Sequence, residues 1–237
     1  SGGYMHGEPG QAKYYATMLA FMGSMLGVAL AGDLFALFTF WELTSLSSFL
    51  LIGHYTTAAD SQYAARKSML ITVAGGLFML AGFLLLAWAG ETTLIAGADS
   101  LLADAGAVGD RLRGAGLFVP ALLLVGVGAA TKSAQVPFHV WLPNAMEAPT
   151  PVSAFLHSAT MVKAGVYLLG RFRPFFLPEG VEGVVPAWSW LVLVLGLGTM
   201  TVAAVLAVAA ADIKELVADS TASHLGVIPA GVRAADR

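Results

Sequence analysis

Cysteine is absent from the 237-residue chain. That excludes disulfide frameworks, thiolate metal sites and cysteine nucleophiles, and leaves the redox compartment open. Charge is scarce. Only 11% of residues are Asp, Glu, Lys or Arg, against about 25% in soluble domains, too few to wet a globule of this size. The net charge of −3 gives no basic footprint, so nucleic acid is not an expected partner. No Walker-type phosphate loop, dinucleotide fingerprint or HExxH metal motif is present. The five histidines, His6, His54, His139, His157 and His224, do not pair at i, i+4. No cofactor and no metal is therefore expected. The polar start, 1–13, carries no cleavable leader pattern, and it opens on Ser1 rather than methionine, so a fragment of a longer chain is expected.

What the chain has instead is apolar length. Hydrophobic residues make up 57% and the mean hydropathy is +0.77, which points to an integral membrane protein. The expected fold is all-α: a polytopic helical bundle of about six to seven spans. Spans are expected at about 14–32, 33–53, 68–90, 114–137, 151–169 and 183–211, with the start of a seventh from 212 that fades at Pro229. Polar stretches at 54–67, 91–113 and 171–182 read as loops. Positive charges divide evenly between the two sides, so orientation stays open. Trp88, Trp188 and Trp190 lie near span ends and read as interface anchors, and the scattered glycines read as sites of close helix packing.

Four prolines, Pro137, Pro143, Pro149 and Pro151, cannot share one regular helix. They predict a discontinuous helix with its break at 137–151. Non-helical backbone at membrane depth is tolerated only inside protein or along a wet cavity, and transporters use such breaks at ion sites.

Four ionisable residues lie inside apolar runs: Glu42, Lys132, His157 and Lys163. Each costs at least ~2.5–3.5 kcal/mol near the bilayer centre, so each needs a partner or water. Glu42 sits about 14 Å along its helix from Asp33, near mid-bilayer. Its neighbours Trp41, Thr44, Ser45, Ser47 and Ser48 supply hydrogen-bonding groups that could hold water. His157 and Lys163 are about 9 Å apart in height on one span, and Ser153, Ser158, Thr160 and Tyr167 are candidates to bridge them. Plainer readings stand beside these. Glu42 and Lys132 could form a static pair, His157 could bond a neighbouring helix, and Lys163 could snorkel. His139 could cap the broken helix, while Asp33 and Arg66 read as boundary charges.

The wording of two stretches carries a resemblance. GDLFALFTFWELTS (32–45), continuing to SFLLIG (48–53), and TKSAQVPFHVWLPNAMEAPTPVSAFLHSATMVKAG (131–165) resemble the antiporter-like subunits shared by Mrp-type cation/proton antiporters and respiratory complex I. The second run looks most like the large A subunit of the Mrp antiporter. The complex I counterpart usually lacks the lysine at Lys163, and the Mrp D subunit matches less well. The resemblance covers nearly the whole chain.

It implies inverted repeats, each with one broken helix. Here that is a polar segment at 1–13, a proton-translocating repeat at 14–171, and a linking loop, one span and a truncated helix at 172–237. It also implies that Glu42 pairs with Lys132, and that His157 and Lys163 continue a polar axis for protons along the membrane plane. The implied function is proton translocation within a multi-subunit monovalent cation (Na⁺)/proton antiporter, a secondary transporter rather than an enzyme, multi-pass in the bacterial plasma membrane. Partners would be the other subunits of a hetero-oligomeric complex, the lipid bilayer, protons and monovalent cations. Alternatives are a proton-pumping subunit of a redox-driven complex and an inert truncated scaffold. DIKELVADST (212–221) resembles a family signature, but Asp219 stands where an aromatic residue is usual. The apolar helix expected to continue after Gly226 is missing.

Overall fold

A computed structural model describes residues 2–176 and 186–234, without the side chains of 157–158, 186–187 and 228–234. Among the described residues the chain is helical, apart from an isolated bridge between Asp33 and Leu94. The helices are α1 (Gln11–Leu30), α2 (Leu34–Ile52), α3 (Ala59–Gly90), α4 (Ala105–Gly114), α5 (Phe118–Lys132), α6 (Leu142–Ala145), α7 (Thr150–Val152), α8 (Lys163–Phe176), α9 (Pro186–Ala209) and α10 (Ile213–Ala234). A 3₁₀ turn (Phe138–Trp141) precedes α6, and a π-helical stretch (Ser153–Thr160) separates α7 from α8.

Long apolar runs make the spans, and local chemistry sets their ends. Asp33 starts α2 by accepting from the backbone N–H of Phe35 and Ala36 at 2.8 and 3.0 Å, which satisfies two of the free donors of a helix start. Asp33 is thus a helix cap as well as a boundary charge. Three helical segments are long and apolar enough to cross a membrane: Leu34–Ile52, Ala59–Gly90 and Trp188–Ala209. The α4–α5 pair, bent by 117°, makes a fourth if taken as one span. α1, with 20 residues, and α10, with 22, have spanning length, at about 30 Å or more. They lie where spans were expected, but they do not pass that apolar measure.

Other expectations shift. The loop at 91–113 contains helix α4. The polar stretch before Ser68 is already the first turns of α3, and α8 runs on to Phe176; 177–182 lie outside the described residues. α10 continues through Pro229 to Ala234 instead of fading. Trp88 and Trp190 are exposed as interface anchors would be, but Trp188 is buried. It stacks on Phe176 at 5.9 Å, because α9 turns that face onto the end of α8 and not onto the bilayer surface.

α3 packs along α5, α1 along α2, α2 along α3 and α5 along α8, while α9 and α10 form a hairpin against the region of the break. The outer faces stay apolar. Leu70, Leu77 and Phe78 on α3 and Val194, Val205 and Val208 on α9 are exposed, as lipid-facing side chains must be. Inside, buried polar side chains gather where α5 ends.

Candidate functional site

α5 stops at Lys132 because the backbone leaves the helix there. Ser133 closes the last turn, its N–H bonding Ala129 O, and Ala134 takes a positive φ of 48°. The break therefore begins five residues before Pro137. Each proline then sits where its missing N–H costs least. Pro137 precedes the 3₁₀ turn, Pro143 lies in the first turn of α6, Pro149 precedes α7 and Pro151 lies in its first turn.

The freed backbone is held by side chains. Trp141 Nε1 donates to Thr131 O at 2.9 Å, Ser133 Oγ donates to Val162 O at 2.6 Å, and Val136 N donates to Thr199 Oγ1 on α9 at 2.9 Å. Lys67 reaches Asn144 Oδ1 at 2.6 Å and Lys214 reaches Met146 O at 3.0 Å. The break is thus a built element.

Lys132 is 0% exposed. Its Nζ donates to Trp41 O at 2.9 Å and to Ser45 Oγ at 2.6 Å, and it lies 5.1 Å from the Trp41 ring centroid. The C-terminal end of α5 adds carbonyl dipoles that favour a cation. Glu42 and Lys132 act on each other electrostatically, but they form no ion pair within 4 Å; the ion pairs among the described residues are Arg111–Glu91 and Arg113–Asp110.

The two residues that the resemblance pairs thus act on each other without a direct contact, and helix rotation is the reason. Successive side chains turn by about 100°. Lys132 meets the Trp41–Ser45 edge of α2, while the Glu42 carboxylate is directed at α3. There it lies against Gly76, where a Cβ would collide with Glu42 Oε1, and the neighbouring Gly75 leaves the same kind of room for Thr131. Close helix packing explains these glycines only in part, since Gly76 also makes the space for the carboxylate.

Several buried polar atoms here have no hydrogen-bond partner within the chain: Trp41 Nε1, Glu42 Oε1, Ser48 Oγ, Gln135 Oε1 and His139 Nδ1. Such atoms are the ones that buried water serves in membrane and soluble proteins alike. Trp41 and Ser48 belong to the polar set expected around Glu42. Gln135, 1% exposed, has no counterpart among the residues read from sequence; a lone amide between Lys132 and the first proline was the available signal.

The other two predicted residues sit differently. His157 lies on the π-helical stretch, and its side chain is outside the described ones. Lys163 begins α8 and is exposed, lining a groove of about 240 Å³ with Met25, Val28, Thr160 and Tyr167. The span expected to carry both is not one α-helix, since it changes from π to α between them. The candidate bridging hydroxyls are occupied by carbonyls. Thr160 Oγ1 bonds Phe155 O at 2.8 Å, Tyr167 OH bonds Ala29 O at 2.8 Å and Ser153 Oγ bonds Ala148 O at 3.4 Å. The side chain of Ser158 is outside the described ones. No cluster of three or more His, Asp or Glu suited to a metal occurs among the described residues.

A buried lysine at the end of a broken helix, inside an all-helical apolar shell, defines a polytopic membrane protein of the discontinuous-helix class. The chain belongs to the NADH:quinone oxidoreductase/Mrp antiporter transmembrane family, whose model matches residues 31–236. It is 50% identical over 215 residues to the A subunit of the Na(+)/H(+) antiporter of Bacillus subtilis (strain 168), a match that covers 91% of this chain and 25% of that relative. To the A/B subunit of the probable K(+)/H(+) antiporter of Rhizobium meliloti (strain 1021) it is 49% identical over 225 residues, 95% of this chain and 21% of the relative.

Among solved structures it resembles a chain of the Mrp complex from Dietzia sp. DQ12-45-1b, with a TM-score of 0.77 and 39% identity over 93% of this chain and 23% of that one. It also resembles a chain of the membrane-bound sulfane sulfur reductase, an archaeal respiratory membrane complex, with a TM-score of 0.79 and 26% identity over 92% and 42%. The chain spans about a quarter of the length of the curated relatives it matches.

Proposed function

We propose that these residues form the proton-handling half of a monovalent cation/proton antiporter component, with Na⁺ as the exchanged cation, working in the cell membrane beside other subunits. The observation that carries the reading is Lys132: a fully buried lysine at the helix break, hydrogen-bonded inside the chain and acted on by a carboxylate it does not touch. The antiporter names of relatives near 50% identity support it.

The chemistry follows from donor and acceptor capacity. As an ammonium, Lys132 has three N–H donors and uses two, on Trp41 O and Ser45 Oγ, so the third is the proton that can leave. As a neutral amine it has a lone pair. The Ser45 hydroxyl can rotate to donate to that lone pair, whereas the Trp41 carbonyl can only accept. Ser45 therefore serves both states. Glu42 shifts the balance between them. Its negative charge favours the ammonium and burial favours the amine, so any change in the charge on Glu42 moves the proton on Lys132. Transfer onward would run toward His157 and Lys163. One charge crossing 100 mV is worth about 2.3 kcal/mol, ample to drive such a step.

The test uses the difference between lysine and arginine, since arginine stays charged in proteins. In a complete antiporter in inverted vesicles, Lys132→Arg is expected to assemble normally and to lose cation-induced collapse of the pH gradient by more than about 10-fold, the effect of withdrawing one titrating group from a transfer step. Near-normal turnover would overturn the titrating-lysine mechanism.

A second reading, a proton-pumping subunit of a redox-driven complex, is favoured by the likeness to the sulfane sulfur reductase. Neighbouring genes for redox subunits would support it, and genes for small antiporter subunits would support antiport. An inert scaffold predicts equal transport with and without a functional Lys132, so the same assay decides it.

A further inference from the structure

Ser133 follows Lys132 directly and is 1% exposed. Its backbone and its hydroxyl are all engaged. The N–H donates to Ala129 O at 3.0 Å, closing the last turn of α5, and the carbonyl accepts from Gln135 Nε2 at 3.1 Å. The hydroxyl reaches across to α8. Its Oγ donates to Val162 O at 2.6 Å and accepts from the Val166 N–H at 3.1 Å.

The two groups on that hydroxyl are a matched pair. In an α-helix the C=O at position i takes the N–H at i+4, so the Val162 carbonyl and the Val166 N–H are partners across the first turn of α8. A hydroxyl both donates and accepts, so one oxygen bonds both members of the pair. An apolar side chain could bond neither. Glycine makes the approach possible, because a Cβ at Gly165 would collide with Ala129 O and Ser133 Oγ. α8 begins at this point, directly after the π-helical stretch. A side chain inserted into the i, i+4 ladder is one physical cause of such an interruption.

The consequence is mechanical. Lys132 and Ser133 share a rigid peptide plane, so the backbone of one cannot shift without the other. Lys132 Nζ bonds Trp41 O and Ser45 Oγ, and loss of its proton changes which of these bonds it can make. The turn of α8 on the far side of the hydroxyl starts with Lys163, which is exposed.

We propose that Ser133 is a positioning residue: its hydroxyl ties Lys132 to the first turn of α8, so that a change in the charge on Lys132 shifts that turn and the Lys163 it carries. The two lysines are then coupled through the backbone, whatever route a proton takes between them. This inference rests on the proton-handling reading of Lys132.

The test combines amide hydrogen exchange of the α8 peptide 163–170 with transport per complex, in a complete antiporter carrying substitutions in this chain. Lys132→Met holds the position uncharged. It is expected to change exchange of the peptide by about 3-fold or more, the scale of one net hydrogen bond. In a Ser133→Ala background the same substitution should change it no further. Ser133→Ala and Ser133→Cys alone are each expected to speed exchange of the peptide and to lower turnover several-fold, since a thiol fills the hydroxyl's place but is a weak donor and acceptor.

Unchanged turnover in Ser133→Ala overturns the proposal. Normal turnover in Ser133→Cys overturns it too, because shape alone would then suffice. Loss of assembly in both variants would make Ser133 a packing residue, with the same result. If Lys132→Arg abolishes transport while Lys132→Met moves α8 equally with and without the Ser133 hydroxyl, the proton reading of Lys132 stands and only the tie falls. If Lys132→Arg transports normally, both fall, because the charge on Lys132 then never needs to change.

Discussion

Lys132 and Lys163 flank a single contact and live in opposite surroundings. Ser133, next to Lys132, donates to Val162 O, next to Lys163. Lys132 nevertheless points into the bundle, with no exposed surface and two hydrogen bonds inside the chain. Lys163 points out into a groove between α1 and α8. Both are lysines in apolar sequence, and from sequence they look equivalent. The fold separates a lysine held by hydrogen bonds inside this chain from one that faces outward.

The largest effect is expected from Glu42→Gln, which removes the field at Lys132 and keeps the shape. The complex should assemble, and transport should fall by about 10-fold or more, on the scale that a charge displaced by a few kcal/mol implies. Unchanged transport per assembled complex would mean that the inner lysine is as indifferent to this chain as the outer one.

Gly76→Ala sharpens the same point without touching a charge. Its Cβ would collide with the Glu42 carboxylate, and overpacking of this kind costs about 1–3 kcal/mol. Transport is expected to drop several-fold. Gly23→Ala is the control, because its Cβ meets nothing within 4 Å; its thermal midpoint should hold or rise, since alanine is the better helix former by up to about 1 kcal/mol. Equal losses in the two variants would show that Gly76 has no special link to Glu42.

A smaller effect is expected from Ser45→Ala, which takes away one of the two bonds to Lys132. A net hydrogen bond is worth about 0.5–1.5 kcal/mol, so a turnover loss of a few-fold is expected, measured as rate per complex. The smallest effect on stability should come from Lys163→Gln, within about 0.5 kcal/mol by thermal unfolding in detergent, because the exposed amine has no hydrogen bond or ion pair among the described residues. A fall of several degrees in the melting midpoint would give Lys163 an internal partner and erase the contrast.

Much of the architecture was legible from local rules. Apolar length against the bilayer thickness located the helices of α1, α2, α3 and α9 to within a few residues, except that α3 starts nine residues early. Four clustered prolines announced the break, because a proline ring removes a donor wherever it falls. Ionisable residues in apolar runs named Glu42 and Lys132 as a pair worth examining. Less legible were elements whose sequence is locally ambiguous. α4 hides in a charged loop, where its short amphipathic pattern has no span to announce it. The Trp188 indole reads as an interface anchor until Phe176 is placed beside it. The early end of α5 at Lys132 depends on the left-handed turn at Ala134, which no proline marks.

By itself, the sequence determined that this is a helical membrane protein with a broken helix, and that a lysine stands at the edge of the break. Hydropathy and proline chemistry act on neighbours along the chain, so they can be read there. The partners of Lys132 are Trp41 and Ser45, 91 and 87 residues away, and only the packing of α2 and α5 on α3 could bring them within reach. The same packing turned Glu42 by one helical step onto Gly76, buried Asp219 and left Lys163 outside. Each of those outcomes depends on the rotation of a helix about its own axis, and a change of about 100° per residue decides whether a side chain faces a partner or the lipid.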